Sequence, residues 1–200
     1  DPSGIDRTTD MTRTTRDSIS MRGAGVIHIT QPAKGHRFTL DSILLADFCR
    51  VRPRDRVLEP GCGTGIISLL LAKKHPRSQF SLVEIQDDLA YLCRRNSIEN
   101  GIVGNISIEQ GDIRRLSRSI GSSRFDVIVT NPPYLRAGTG RTSPDPARRA
   151  ARQDLLARID FWLDLRTFLK QGGRYNIVFP AARLADLCFL MRVRRLEPKR

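Results

Sequence analysis

The sequence predicts an α/β fold with a doubly wound, mostly parallel sheet, and three observations support this prediction. From Arg56 onward, short apolar segments alternate with helical segments of about ten residues or more, which is typical of strand–helix–strand units in a sheet covered on both faces. A glycine-rich turn separates the first of these strands from the helix after it. The length of 200 residues suits one such domain.

The N-terminal part of the chain is less regular. Residues 1–22 are rich in Thr, Arg, Asp and Ser, so we expect a disordered tail, followed by a single domain over residues 23–200. Pro32 and Gly35 interrupt short apolar runs between Gly23 and Phe38, which favours a hairpin or an irregular lead-in. A helix is predicted over Ser42–Cys49, with Thr39 or Asp41 as its cap.

The remaining elements follow from apolar patterning and from the Gly, Pro and Asn residues between them. The predicted strands are Arg56–Glu59, Phe80–Glu84, Ile106–Gln110, Phe125–Thr130 and Arg174–Phe179. The predicted helices are Gly65–Lys74, Asp87–Asn100, Gln153–Lys170 and Ala181–Arg192.

Net charge points to a polyanionic partner. The chain carries 34 basic and 21 acidic residues, a net charge of +13. Residues 131–200 hold 15 of the basic and 6 of the acidic residues, so the excess is concentrated in the C-terminal third. Nucleic acid is the commonest polyanion, although a charged segment can also be a merely solvated surface.

Other classes of protein are disfavoured by the sequence. The longest nearly apolar run, Ile66–Ala72, is far shorter than the roughly 18 residues that a membrane-spanning helix requires, so no membrane partner is expected. The four cysteines form no C-x-x-C pair and have no histidine at metal-ligand spacing, which predicts neither a zinc site nor a disulfide framework. A reducing cytoplasm is therefore the expected location.

The glycine-rich turn has the sequence Glu-Pro-Gly-Cys-Gly-Thr-Gly over residues 59–65. Glycines allow a sharp turn and close approach of a ligand to the backbone. Ile66 stands where a dinucleotide fingerprint needs its third glycine, which disfavours an NAD site. The acidic residue at the start of the motif, Glu59, would repel a pyrophosphate and attract a cationic ligand.

Two further carboxylates follow the next two strands. Glu84 ends the second strand, where such sheets bind ribose hydroxyls, and Asp112 follows the third, where it could accept a hydrogen bond from an adenine amino group. Each also has a simpler interpretation, since Glu84 could cap the helix at Asp87 and Asp112 could cap the turn after it. Together with Glu59, they favour a nucleoside that bears positive charge.

The fourth strand runs into Asn131-Pro132-Pro133-Tyr134. The two prolines fix the backbone and leave carbonyl acceptors without competing donors. The side-chain oxygen of Asn131 and the carbonyl of Pro132 could accept both hydrogens of a planar amino group, and Tyr134 offers a ring for stacking. The alternative is an ordinary Asn-Pro turn.

These motifs, in this order, resemble those of class I S-adenosylmethionine-dependent methyltransferases of the amino-methylating type, which have a Rossmann-like fold. Residues Gly35–Ala46 and Ala147–Ala150 resemble segments of the bacterial tRNA(Val) adenine-37 methyltransferase family. The resemblance extends from about Gly23 to the end of the chain. Because that family continues into a final antiparallel strand pair, the sheet is expected to lack its last strands, with an exposed edge and reduced stability, and the chain to be part of a longer enzyme.

The resemblance also implies roles for individual residues. The cofactor S-adenosylmethionine would be held at its methionine moiety, ribose and adenine, and the substrate base at the acceptor turn; no metal is needed, because the sulfonium already activates the methyl group. Asp41 would lie beside the cofactor, unless it is only a helix cap. The implied cofactor-binding residues are Asp41, Glu59, Gly61, Cys62, Gly63, Gly65, Glu84, Ile85 and Asp112, and the implied catalytic residues are Asn131, Pro132 and Tyr134.

The predicted function is therefore methyl transfer to an exocyclic adenine amino group in RNA, with tRNA as the first candidate. Arg136–Arg158 and Arg192–Arg200 would contact its phosphates. One alternative is methylation of a glutamine amide in a protein such as a release factor, whose enzymes carry a helical domain ahead of the glycine turn. Another is a non-catalytic RNA-binding module that has kept the fold.

Overall fold

A computed structural model of the chain describes residues 13–116, 125–132 and 159–199. It opens with an antiparallel hairpin of β1 (Thr14–Met21) and β2 (Gly25–Pro32). The predicted tail is therefore wrong for Thr14–Met21, while residues 1–12 lie outside the described residues. Only Ile19 and Met21 of β1 are buried, and backbone pairing to β2 holds the rest. A strand with so few apolar residues has the composition of a disordered segment.

The central sheet has five parallel strands in the order β5-β4-β3-β6-β7. The apolar residues of the three central strands are buried on both faces, whereas the two edge strands of the sheet are only partly buried. The strands are β3 (Arg56–Pro60), β4 (Gln79–Glu84), β5 (Ile106–Gln110), β6 (Phe125–Thr130) and β7 (Leu169–Ile177).

Helices cover both faces of this sheet. One core cluster joins the hairpin, α1, α2 and part of α3 to one face, and a second joins α4 and the segment around Trp162 to the other. The doubly wound α/β prediction is confirmed. The helices are α1 (Leu40–Phe48), α2 (Ile66–Lys74), α3 (Asp87–Glu99), α4 (Ile113–Leu116), α5 (residues 159–164) and α6 (Leu184–Val193).

The largest boundary errors surround β7. The predicted helix Gln153–Lys170 is wrong at its end, because a 3₁₀ turn occupies Leu165–Phe168 and β7 begins at Leu169. The predicted strand accordingly begins five residues too late. Gly172 has a φ of 73°, and the pairing of β7 with β6 shifts register nearby. Gly172 and Gly173 therefore lie at an irregularity within a strand and not in a turn between two elements.

Two asparagines on α3 attach the hairpin to the domain. Asn96 accepts a hydrogen bond from the Thr30 N–H (2.8 Å) and donates to the Thr30 carbonyl (2.9 Å), as a neighbouring strand would. Asn100 makes the same pair of bonds with His28, at 2.9 Å and 2.7 Å. Asn96 also donates to the carbonyl of Thr64 in the glycine-rich turn (3.0 Å). The buried amide thus links β2 to that turn.

No helix in the described ranges is long and apolar enough to cross a membrane.

Candidate functional site

The predicted site residues at the strand ends, Glu59, Glu84 and Asn131, lie at the carboxyl edge of the sheet. Register pairs Pro60 with Val83 and Glu84 with Gln110, so the ends of β3, β4 and β5 lie side by side. β6 flanks β3 on its other side and ends at Thr130, whose hydroxyl donates to the Pro60 carbonyl (3.1 Å). The chain continues from β3 to β4 on one side and from β6 to β7 on the other, so the crevice lies where the strand order reverses, the usual ligand position in open α/β sheets.

The glycine-rich turn uses its three glycines in different ways. Gly61, Gly63 and Gly65 have φ values of 68°, 56° and 89°, which favour glycine at each position. A Cβ atom on Gly61 would lie 2.8 Å from the Trp162 ring, and one on Gly65 2.5 Å from the Cys93 sulfur. A Cβ on Gly63 would meet nothing within 4 Å. Gly63 thus presents bare backbone to open space, as close approach of a cofactor requires.

Cys62 contributes its backbone to this turn, and its side chain belongs to the core. Its N–H bonds to the Val83 carbonyl (3.2 Å), alongside that of Gly61 (2.8 Å). Its sulfur lies 3.9 Å from the sulfur of Cys93. This contact and burial hold the pKa of the Cys62 thiol well above its usual range, so the thiol stays protonated.

The carboxylate of Glu84 is fixed at the crevice edge. Its Oε2 accepts the Gly63 N–H (2.8 Å) and its Oε1 accepts the Gln86 N–H (2.9 Å). Each oxygen keeps further lone pairs, which fits a vicinal diol such as that of ribose. The next residue, Ile85, leaves 57% of its surface exposed, enough for an apolar contact with a flat base.

Glu59 is buried behind the turn and contacts α2. Its Oε2 accepts the N–H of Ser68 (3.0 Å), one of the helix N-terminal donors that lack a partner within the helix. Burial raises the pKa of Glu59 to about 8, although the hydrogen bonds from Ser68 act in the opposite direction. Its observed contact therefore stabilises the helix that begins at the turn.

Asp112 caps the turn that follows it, which is one of the two roles that the sequence allows for this residue. Its Oδ1 accepts the backbone N–H of Arg114 (2.9 Å), and its carboxylate pairs with the guanidinium of the same residue. The Arg114 hydrogen bonds lower the pKa of Asp112. The carboxylate remains ionised at the end of β5, where a further acceptor role is a prediction.

The acceptor turn is anchored through Asn131. Its Nδ2 donates to the hydroxyl of Ser42 (3.1 Å), so Oδ1 is left as an acceptor. Pro132 is buried beside it, while Pro133 and Tyr134 lie outside the described residues. Sequence reasoning missed Ser42, although it lies within the segment Gly35–Ala46. The signal was a hydroxyl on the face of α1 that also buries Leu45 and Ala46.

Asp41 precedes Ser42 in the first turn of α1 and is exposed. Thr39 occupies the cap position, which confirms it as the cap residue although its side chain makes no capping bond, and the capping alternative for Asp41 is wrong. A place beside the cofactor stays a prediction for Asp41. Across the described ranges, no group of three or more His, Cys, Asp and Glu side chains is arranged to hold a metal ion.

Comparison with known proteins decides the family. The chain matches the family described as "Methyltransferase small domain" over residues 35–182. It belongs to this family. The predicted resemblance to class I methyltransferases is confirmed at the level of family and fold, and S-adenosylmethionine is the cofactor of that class. The open backbone at Gly63, the fixed Glu84 carboxylate and the exposed Ile85 side chain fit such a cofactor.

Two curated relatives of the chain carry the name tRNA1(Val) (adenine(37)-N6)-methyltransferase. The protein from Porphyromonas gingivalis is 30% identical over 179 residues, which are 86% of this chain and 69% of that protein. The protein from Histophilus somni is 33% identical over 156 residues, or 76% of this chain and 64% of that protein. The chain thus spans about two thirds of the length of these relatives.

Solved structures share the fold at lower sequence identity. TrmN from Thermus thermophilus has a TM-score of 0.56 and 24% identity, covering 78% of this chain and 40% of that chain. The METTL16 MTase domain has a TM-score of 0.58 and 18% identity, covering 83% of this chain and 63% of that chain.

Proposed function

We propose that this chain transfers a methyl group from S-adenosylmethionine to the exocyclic amino group of an adenine in tRNA. The observation that carries the proposal is the hydrogen bond from Asn131 to Ser42, which leaves Asn131 Oδ1 as an acceptor beside the glycine-rich turn. The names of the relatives from Porphyromonas gingivalis and Histophilus somni support adenine in tRNA over the glutamine and non-catalytic alternatives. A cytoplasmic location is part of the proposal.

The cofactor would be held by backbone and carboxylate groups that are already fixed. Gly63 permits close approach of the methionine moiety, Glu84 accepts from the ribose hydroxyls, and Ile85 packs on the adenine ring. Asp112 would accept from the adenine amine in exchange for one of the hydrogen bonds that Arg114 now donates to its two oxygens. When bound, S-adenosylmethionine would supply a sulfonium-activated methyl group; transfer to the amine would leave the neutral thioether S-adenosylhomocysteine and release one proton of the amine.

The acceptor turn would position the substrate amine. Asn131 Oδ1 and the Pro132 carbonyl accept its two hydrogens, which draws electron density toward the nitrogen and favours its tetrahedral geometry. The bond to Ser42 occupies the NH₂ group of the Asn131 amide and so leaves its oxygen for the substrate amine. The adenine must leave its stack to enter, with Tyr134 proposed as its stacking partner.

Phosphate contacts are a separate part of the proposal. Of the C-terminal arginines predicted to bind RNA, Arg194 is held by Asp160 (3.0 Å) and Asp164 (2.9 Å), so it stabilises the fold around α6. The segment Arg136–Arg158 lies outside the described residues. Its phosphate contacts remain proposed.

Transfer of labelled methyl to total tRNA, a release-factor protein and duplex DNA, followed by nucleoside analysis, tests the proposal. We expect labelled N6-methyladenosine from tRNA alone; label on the protein with none on tRNA would overturn it. Asn131→Ala should lose turnover and keep cofactor affinity. Asn105→Ala is a matched control, because Asn105 bonds only to carbonyls near the amino edge of the sheet, among the described residues.

A further inference from the structure

The outer face of α1 carries three exposed apolar side chains. Leu40, Leu44 and Phe48 are 66%, 56% and 51% exposed. Their four-residue spacing aligns them along the helix, opposite the face that buries Leu45 and Ala46. We call these three residues the apolar stripe. A contiguous exposed apolar surface of this kind is typical of an interaction site.

The stripe ends at a positively charged pocket. An open cavity of about 490 Å³ lies at the C-terminal end of α1, and its lining includes Arg50, Arg52, Lys74 and Arg174. We call this cavity the basic pocket. Lys74 pairs with Asp47 at 3.8 Å, and Arg174 pairs with the buried Asp55. The exposed Arg50 and Arg52 side chains form no ion pair with any carboxylate among the described residues.

The positive charge of the basic pocket exceeds the negative charge that surrounds it. Both α1 and α2 end at the basic pocket, and each helix end carries about half a negative charge. Four cations there meet two carboxylates and two helix ends, which leaves an excess of roughly one positive charge. His75 adds none at pH 7, because burial and the neighbouring Lys74 lower its pKa. The backbone N–H of Arg52 bonds to Asp55 (2.7 Å), so this guanidinium extends from a fixed backbone position.

The helix connects the pocket to the acceptor turn. Ser42, near the start of α1, contacts Asn131, and the basic pocket lies at the other end. A nine-residue helix is about 14 Å long, which is a span of a few nucleotides along a nucleic-acid strand. A strand that places one base at the acceptor turn could therefore reach the pocket with a nearby phosphate.

We propose that the apolar stripe and the basic pocket bind the single-stranded RNA that flanks the target adenosine, with bases on the stripe and a phosphate group in the pocket. The identity of this RNA rests on the proposed function. Apolar side chains beside arginines that pair with no carboxylate of the described residues suit the exposed bases and the backbone of a single strand. A protein partner that docks through apolar side chains alone would leave the excess positive charge of the pocket unpaired.

Direct RNA binding tests this inference without methyl transfer. Anisotropy of a labelled RNA stem-loop with an adenosine in its loop is measured against salt concentration, with no cofactor present. We expect Arg50→Gln/Arg52→Gln to bind about tenfold more weakly and to reduce the slope of log affinity against log salt by about 0.7 for each phosphate that the variant no longer neutralises. Arg16→Gln/Arg95→Gln removes the same charge from the exposed hairpin and α3, and should change both quantities much less.

A second variant tests the apolar stripe. Leu44→Ser should weaken binding of the stem-loop without changing the salt slope, and should leave binding of a fully paired RNA unchanged. Cofactor affinity and kcat at saturating RNA should be unchanged in both variants, which also shows that they fold. Equal losses in the Arg16/Arg95 control, or a wild-type dimer that Leu44→Ser dissociates, would overturn the inference.

The two proposals fail separately. If the wild type methylates tRNA and the Arg50/Arg52 variant binds the stem-loop equally well, only this inference is wrong. If the wild type binds neither tRNA nor the stem-loop, the proposed function is wrong as well.

Discussion

Gly63 and Gly65 should fail differently when each is replaced by alanine. Both have positive φ, at 56° and 89°, so each alanine costs about 1–2 kcal/mol of stability from the backbone alone. At Gly65 the new Cβ would also lie 2.5 Å from the Cys93 sulfur, inside the core. Overpacking of this kind costs a further 1–3 kcal/mol or so, which makes Gly65→Ala about 2–5 kcal/mol less stable than the wild type.

Gly63→Ala has no such overlap, so its loss of stability should stay near the backbone cost of about 1–2 kcal/mol. Its methyl group instead enters the space proposed for the cofactor. We expect the affinity for S-adenosylmethionine to fall at least tenfold, or about 1.4 kcal/mol. Gly65→Ala should keep more of its affinity at temperatures where it is folded.

Urea denaturation and calorimetric titration with S-adenosylmethionine measure the two properties. Gly104→Ala is the matched control, since Gly104 has neither a positive φ nor a neighbour within 4 Å of the added Cβ. Adding Cys93→Ala to Gly65→Ala should recover part of the lost stability, because it removes the overlapping sulfur. Equal stability losses at Gly63 and Gly65, with unchanged cofactor affinity in Gly63→Ala, would refute this reasoning.

Three further predictions concern single side chains. Ser42→Ala removes one hydrogen bond, worth about 0.5–1.5 kcal/mol, so kcat should fall roughly two- to tenfold in steady-state assays while the Kd of the cofactor is unchanged; an unaltered kcat would remove the positioning role. Glu84→Ala should weaken the cofactor at least tenfold in titration, and wild-type affinity would contradict its proposed ribose contact. Burial raises the pKa of Glu59 from 4.5 to about 8, so the folded state keeps a proton that the unfolded state releases. Stability should therefore fall as pH rises between those values. The urea midpoint, measured from pH 5 to 9, should decrease less with pH in Glu59→Gln than in the wild type; identical profiles would contradict the raised pKa of Glu59.

Sequence reasoning located β3, β4, β5 and β6 to within about a residue, because the buried strands β3, β4 and β6 appear as short apolar runs and the two isoleucines of β5 alternate with polar residues. It failed at β1, where Ile19 and Met21 are the only buried apolar residues and strand pairing comes from β2. It also failed at β7, where Gly172 interrupts a strand instead of ending one. Each error arose where pairing with another strand, β2 for β1 and β6 for β7, overrides the local composition.

The residues of the candidate site also fall into those that the sequence located and one that it missed. The turn at residues 59–65, Glu84 and Asn131 were found because strand ends in a parallel sheet must meet at one edge. The capping bond from the Arg114 N–H to Asp112 joins residues two positions apart, and the sequence predicted it as an alternative. Ser42 was not found, because its contact with Asn131 joins residues far apart in the chain. No periodic pattern in the sequence around Ser42 or around Asn131 predicts that contact.

The side-chain amide of Asn96 has a consequence for cooperativity. It bonds at once to Thr30 in the hairpin and to the Thr64 carbonyl in the turn that faces the cofactor. Local opening of either segment breaks bonds of a group that is fully buried, so the two segments should open as one unit. A ligand that stabilises the closed turn then also protects the hairpin, by the ordinary linkage between binding and opening. Hydrogen exchange at the Thr30 amide should therefore slow when the cofactor site is occupied, although Thr30 does not line that site.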